Sequence, residues 1–179
     1  MSTTIKNSKR VEALMSLLHS TKTEEVIGAL KKIPDQGNAS LVKPLLRAFL
    51  AWPDEADIQA KIEKILGELK TQDAVPELIS ALQDDEFDEL RAMIISVFWH
   101  AGIYPTEELD VLISSAIKGD FMVAVEVVTV IENSDELTDS DLVQESMLDI
   151  EEFLDENPEA PHASVLEQLK AILKSQYNL

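Results

Sequence analysis

Three histidines, His19, His100 and His162, are the chain's whole supply of imidazole, and they fall on three separate segments. None has a second histidine three or four residues away, so no helix face carries a pair at metal-binding spacing. Cysteine is absent, which removes thiolate nucleophiles, disulfides, iron–sulfur clusters and cysteine zinc sites. Acids are plentiful, but acid–base catalysis by paired carboxylates needs one buried acid with a raised pKa, and nothing in the sequence singles one out. Glu145, Asp149 and Glu152 stand at i, i+4 and i+7 and share a helix face that could gather a divalent cation. The plainer reading is an exposed acidic face, because Leu142, Phe153 and Leu154 give that segment a separate apolar side. The stretch 135–145 lacks the glycine and the final glutamate placement of an EF-hand loop. No glycine-rich phosphate loop occurs, and no serine sits in a nucleophile elbow. The expectation is therefore no catalytic residue, no metal and no cofactor. The one local alternative is an enzymatic or small-ligand pocket beside Trp99 and His100.

The elements that must carry these residues are helical. Apolar residues recur with a period of 3.6 and never alternate for long. Glycine is scarce, at five of 179 residues, and proline marks boundaries. The spacing predicts ten helices, over 8–19, 23–33, 40–52, 54–69, 73–83, 87–101, 106–118, 120–132, 140–155 and 163–176. Thr23, Ser40 and Thr106 read as N-caps. Pro34, Pro53, Gly102 with Pro105, the loop 133–139, and Asn157-Pro158 with Pro161 read as breaks. Pro76 falls in a first turn, where its missing N–H costs nothing. Short connections imply antiparallel neighbours. The length implies one domain over 1–179, and 45% hydrophobic residues suffice for a core.

The formal charge is −19, from 34 Asp/Glu against 15 Lys/Arg, and it is unevenly placed. Residues 1–70 hold eleven Lys/Arg and nine Asp/Glu, whereas residues 71–179 hold four and twenty-five. No Lys or Arg occurs between Lys118 and Lys170. Two readings stand: a solvated acidic surface that keeps the chain dispersed, or a docking surface for a basic protein or peptide. Such a balance argues against binding nucleic acid through its phosphates. No apolar run approaches the eighteen residues needed to span a bilayer. The first thirty residues hold no secretory apolar core, so the expected location is cytoplasmic.

The helices repeat as pairs. Gly28-Ala29-Leu30-Lys31 recurs as Gly67-Glu68-Leu69-Lys70, and Leu112-Ile113-Ser114 echoes Leu78-Ile79-Ser80. Five pairs in 179 residues give about 35 residues per pair, a solenoid period. Residues 66–102 carry Pro76 at the start of one helix, Asp84 and Asp85 in the following turn, and Arg91 at the next helix, and this stretch resembles a HEAT repeat. One extra residue separates the proline from the arginine, and no arginine stands near Val123 in the next pair. The resemblance implies a right-handed α–α superhelix of about five antiparallel pairs, with 134–179 as capping helices. It also implies a protein-binding rather than an enzymatic role, and Arg91 pairing with turn aspartates. The chain would act as a monomer, as part of a hetero-complex, or as a structural subunit of a larger assembly.

In such a solenoid the second helix of each pair lines the concave face. The non-core positions there are Lys61, Lys64 and Glu68 (with Asp57) in the fourth helix. In the sixth they are Ser96 and Trp99 or His100 (with Glu89 and Ala92), opposite the apolar Leu90, Ile94, Val97 and Ala101. In the eighth they are Met122, Glu126 and Thr129, followed by Asn133. Together they predict a groove that is mixed in charge at one end, aromatic in the middle and acidic at the other. Trp99 is either an anchor for a peptide or a packing residue between repeats, and His100 either joins it or caps a helix end. Trp52, beside Pro53, reads as a packing plug between repeats or as a second anchor.

Overall fold

The computed structural model describes residues 2–33, 38–105, 107–134 and 140–177. Its ten α-helices are α1 (Ser2–Leu18), α2 (Thr23–Leu30), α3 (Val42–Ala51), α4 (Ala56–Gly67) and α5 (Val75–Leu82), followed by α6 (Arg91–Ala101), α7 (Leu109–Lys118), α8 (Phe121–Asn133), α9 (Ser140–Glu156) and α10 (Ala163–Tyr177). No strand occurs among the described residues. The all-helical class therefore stands, and each helix lies where the apolar spacing puts one.

Several starts differ from the sequence expectation, for one recurrent reason. Short 3-10 turns, Ala39–Leu41, Gln72–Ala74 and Asp85–Leu90, precede α3, α5 and α6. Each is opened by a side chain that accepts the backbone N–H two residues on: Asn38 from Ser40, Thr71 from Asp73, and Asp84 from Glu86. Asn38, not Ser40, is thus the capping residue ahead of α3. The buried Phe87 departs from helical geometry (φ −112°, ψ 17°), so α6 begins at Arg91 rather than at 87.

At α2 the cap position belongs to Lys22, and Thr23 is already helical. Ser20 Oγ donates to Glu25 Oε2 at 2.6 Å and Lys22 Nζ donates to Glu25 Oε1 at 2.8 Å. This closes the helix start around one carboxylate. The hydrogen bond from Lys22 comes first and that from Ser20 second in holding the Glu25 carboxyl below its ordinary pKa. The same hydrogen bond and the charge of Glu25 raise the pKa of Lys22. The break expected at Pro34, the N-cap expected at Thr106 and the loop residues 135–139 lie outside the described residues.

Two glycines are fixed by geometry. Gly102 ends α6 in the left-handed region (φ 65°), and the N–H of Ile103 reaches back to the Phe98 carbonyl at 3.0 Å. Gly119 sits between α7 and α8, where a Cβ would stand 2.6 Å from Val123 Cβ and 2.8 Å from the Ser115 carbonyl oxygen. No larger residue fits without displacing one of them.

The chain divides into two compact units, Met1–Leu78 and Ile79–Leu179, and the division falls within α5. In the first unit α1 packs on α2 and α3, and α4 packs on α2 and α3. Its core is aliphatic, with Leu18, Leu41, Leu45, Leu46, Ile58, Ile62 and Leu66 at most 2% exposed. In the second unit α6 packs on α8, α7 on α8 and α9, and α10 on α8 and α9. Phe87, Phe98, Ile94, Val127, Ile131, Ile150 and Leu166 are fully enclosed there. Each such side chain contributes about 1.5–3 kcal/mol through removal from water.

Chain neighbours pack as the pairs α1–α2, α3–α4, α7–α8 and α9–α10, and helices next but one pack as α1–α3, α2–α4, α6–α8, α7–α9 and α8–α10. The helices of 134–179, expected as a cap, join this scheme directly, since α9 packs on α7 and α10 on α8. The charge follows the same division. The first unit holds eleven Lys/Arg and eleven Asp/Glu, while the second holds four and twenty-three, so the second unit alone carries the net −19.

Candidate functional site

Two of the predicted surface stripes meet inside the second unit. Trp99 on α6 and Glu126 on α8 are both half-buried, and the indole Nε1–H donates to Glu126 Oε2 at 2.8 Å. The His100 ring stacks on the Trp99 indole with centroids 3.6 Å apart and planes 25° from parallel. His100 Nδ1 stands 2.9 Å from the Ser96 carbonyl oxygen one turn back, which places the ring proton on Nδ1 when the imidazole is neutral. The contact is to a carbonyl within α6, and the stacking keeps His100 beside the indole.

The hydroxyls of the stripe are turned onto their own helices. Ser96 Oγ donates to the Met93 carbonyl at 2.8 Å and Thr129 Oγ1 to that of Val125 at 3.0 Å. Met122, one turn before Glu126, is 52% exposed, and its neighbour Phe121 is 48% exposed. The stripe is therefore an amphipathic surface: a fixed indole–carboxylate pair, an imidazole plate and two uncovered apolar side chains. The indole N–H of Trp99, the Nδ1–H of His100 and the hydroxyls of Ser96 and Thr129 already donate to protein acceptors. That leaves shape, apolar contact and the charge of Glu126 for a partner to read.

Lys61, Lys64 and Glu68 belong to the first unit. Lys64 Nζ lies 3.8 Å from Glu68 Oε1, an exposed i,i+4 pair of little energetic weight. With Lys61 they border a hollow of about 160 Å³ whose floor includes Leu30, Ile33 and Ile65. Trp52 ends α3 and is half-buried. It borders a separate hollow of about 290 Å³ with Leu18, His19, Arg47 and Ala48.

The HEAT-like positions are placed as follows. Pro76 is exposed in the first turn of α5. Asp84 opens the 3-10 turn that leads to α6, and Asp85 follows it. Arg91 starts α6, and its Nη2 donates to Asp88 Oδ1 at 2.6 Å. Its ion-pair partner thus comes from the turn just before the helix, three residues back. Arg91 also borders a polar cleft of about 350 Å³ with Asp85, Asp110, Ser114 and Lys118.

The remaining chemical candidates are apart. His19 Nδ1 contacts the Met15 carbonyl oxygen at 2.7 Å on its own helix. His162 is buried, and its Nε2 stands 3.2 Å from the Ile117 carbonyl oxygen. Among the described residues no three His, Asp or Glu side chains stand close enough to hold a metal ion, so Glu145, Asp149 and Glu152 do not gather. No helix among the described residues is long and apolar enough to cross a membrane.

Leu148 is the residue that sequence reasoning missed. It is 64% exposed on α9, whose buried seam is Val143, Ser146, Ile150 and Leu154. The signal was available: at 100° per residue Leu148 points away from every member of that seam. No protein-family model matches the chain, and comparison with curated proteins and with solved structures also returned no match.

Proposed function

We propose that the chain is a non-catalytic recognition module that binds a basic protein or peptide through its second unit. The observation that carries the reading is the coincidence of charge with structure: one compact unit is balanced, and the other holds the whole −19. A uniformly solubilising surface has no reason to respect a structural boundary, whereas a docking unit does. Opposite charge steers a basic partner, speeds association and makes it sensitive to salt. The stripe of Met122, Trp99 and His100 supplies apolar contact on that same unit.

A HEAT-like, right-handed solenoid is the architecture proposed with it. Chain-neighbour packing of α1 with α2, α3 with α4, α7 with α8 and α9 with α10, together with next-but-one packing in both units, supports this. The cytoplasm is the proposed location. The engaged indole and imidazole hydrogens at Trp99 and His100 favour a docking surface over a ligand pocket there.

The test is affinity capture with the tagged full chain at low and high salt, followed by calorimetric titration of the retained protein. The expected result is a basic partner whose affinity falls at least tenfold between about 50 and 300 mM salt, a span over which the screening length falls to roughly half or less. A partner of neutral or acidic charge, or an affinity unmoved by salt, overturns the reading.

A further inference from the structure

The outer face of α9 combines two features that proteins ordinarily keep apart. Leu148 is the most exposed large apolar side chain among the described residues, and it lies mid-helix rather than at a loop tip. Its helical neighbours three and four residues away are Gln144, Glu145, Glu151 and Glu152, all exposed. Asp155 lies on the same side one further turn on. The helix carries no Lys, Arg or His at all. Among the described residues, Glu145, Glu151, Glu152 and Asp155 take no ion pair or hydrogen bond.

In the isolated chain this arrangement is unfavourable twice over. Like charges face one another at helical spacing. Acids crowd the C-terminal end of the helix, where the macrodipole favours cations. Both costs are relieved by cations placed along the face. Leu148 in turn needs an apolar side chain to cover it. A central apolar contact within a charged rim is the usual anatomy of a recognition patch.

We infer that the outer face of α9 is a docking site for a basic amphipathic helix of another protein, with an apolar residue seated on Leu148 and lysines or arginines over Glu145, Glu151, Glu152 and Asp155. The inference rests on the basic-partner reading above and narrows it to one helix and one kind of segment. Charge complementarity selects this occupant over an acidic or neutral one. Spacing selects a helix, since cations on one face of a helix repeat at the interval of the carboxylates they meet.

Two synthetic helical peptides test it. Both carry the same lysines, one has leucines along a single face, and the other has glutamine at those leucine positions. Binding to the full chain is followed by fluorescence anisotropy, with Leu148→Ser, with the triple Glu145→Gln, Glu151→Gln, Glu152→Gln, and with a control triple of equal charge, Glu107→Gln, Glu108→Gln, Asp110→Asn. The leucine-faced peptide is expected to bind the unaltered chain at least tenfold tighter than its glutamine counterpart. Leu148→Ser is expected to erase that preference. The α9 triple is expected to weaken both peptides about tenfold, and the control triple less than threefold.

A preference that survives Leu148→Ser, or a control triple as damaging as the α9 triple, overturns the α9 site while leaving a basic partner in place. Absence of salt-dependent binding by either peptide overturns the basic-partner reading itself. Sedimentation velocity of the free chain provides a further arm. Dimers that disappear on Leu148→Ser would give the face to a second copy and overturn a foreign occupant.

Discussion

The indole of Trp99 and the carboxylate of Glu126, 27 residues apart in sequence, are joined by a 2.8 Å hydrogen bond that ties α6 to α8. An N–H bond to a carboxylate is charge-assisted and stronger than a neutral one. It holds the indole plane, and through stacking it holds the ring of His100.

Removing the acceptor should therefore be costly. Glu126→Ala leaves a half-buried indole N–H without a partner, and the expected loss of stability is about 1–3 kcal/mol. Glu126→Gln, which keeps an acceptor oxygen, should lose less than Glu126→Ala. Urea unfolding measures both. Trp99 emission, read in a Trp52→Phe background, should shift only in Glu126→Ala. Equal stability of the alanine variant and the parent would show that the bond holds nothing.

Gly119→Ala should destabilise by about 1–3 kcal/mol, the usual cost of overpacking. Its Cβ would press on Val123, whose N–H is held by Asp120 Oδ1 at 3.0 Å. Thermal unfolding of the variant tests this, and Gly28→Ala is the control, because a Cβ there meets nothing within 4 Å.

Ser146 should behave in the opposite sense. Its hydroxyl is buried with no hydrogen-bond partner among the described residues. Ser146→Ala removes that unmet group, so stability is expected to stay level or rise by about 1 kcal/mol. A clear loss in chemical denaturation would show that the hydroxyl is satisfied in solution.

Glu25 provides the pH prediction. Its carboxyl is held below the ordinary glutamate range by the hydrogen bonds from Lys22 and Ser20. A group whose folded pKa is depressed adds stability that is complete above the unfolded value and disappears as pH falls through the folded value. The contribution of Glu25 should therefore be constant at neutral pH and fade only below the ordinary carboxylate range. Carbon-detected NMR titration should place Glu25 below the values ordinary for glutamates. Lys22→Ala should move it back toward them.

Much of the architecture was legible because the 3.6 period is written by aliphatic residues that do end up buried, such as Ile58, Ile62 and Leu66 on α4. The helix starts were less legible. Asn38, Thr71 and Asp84 each capture a backbone N–H two residues on and open a 3-10 turn, a local competition that periodicity does not report. The α6 and α8 stripes were readable one at a time, but the bond between Trp99 and Glu126 depends on how two helices pack. Leu148 escaped because an isolated leucine in an acidic segment reads as part of the apolar side, and only the position of the buried seam shows that it faces outward.

The division of charge has a colloidal consequence. Near neutral pH the first unit, with eleven cations and eleven anions, stands close to its isoelectric condition, where proteins repel their own copies least. The second unit of the same chain is a polyanion. Mutual repulsion between molecules, and with it the dispersal of the balanced half at high concentration, comes from the acidic half. Any partner that neutralises that half also removes the force that keeps complexes apart, so occupancy and self-association are coupled through charge alone.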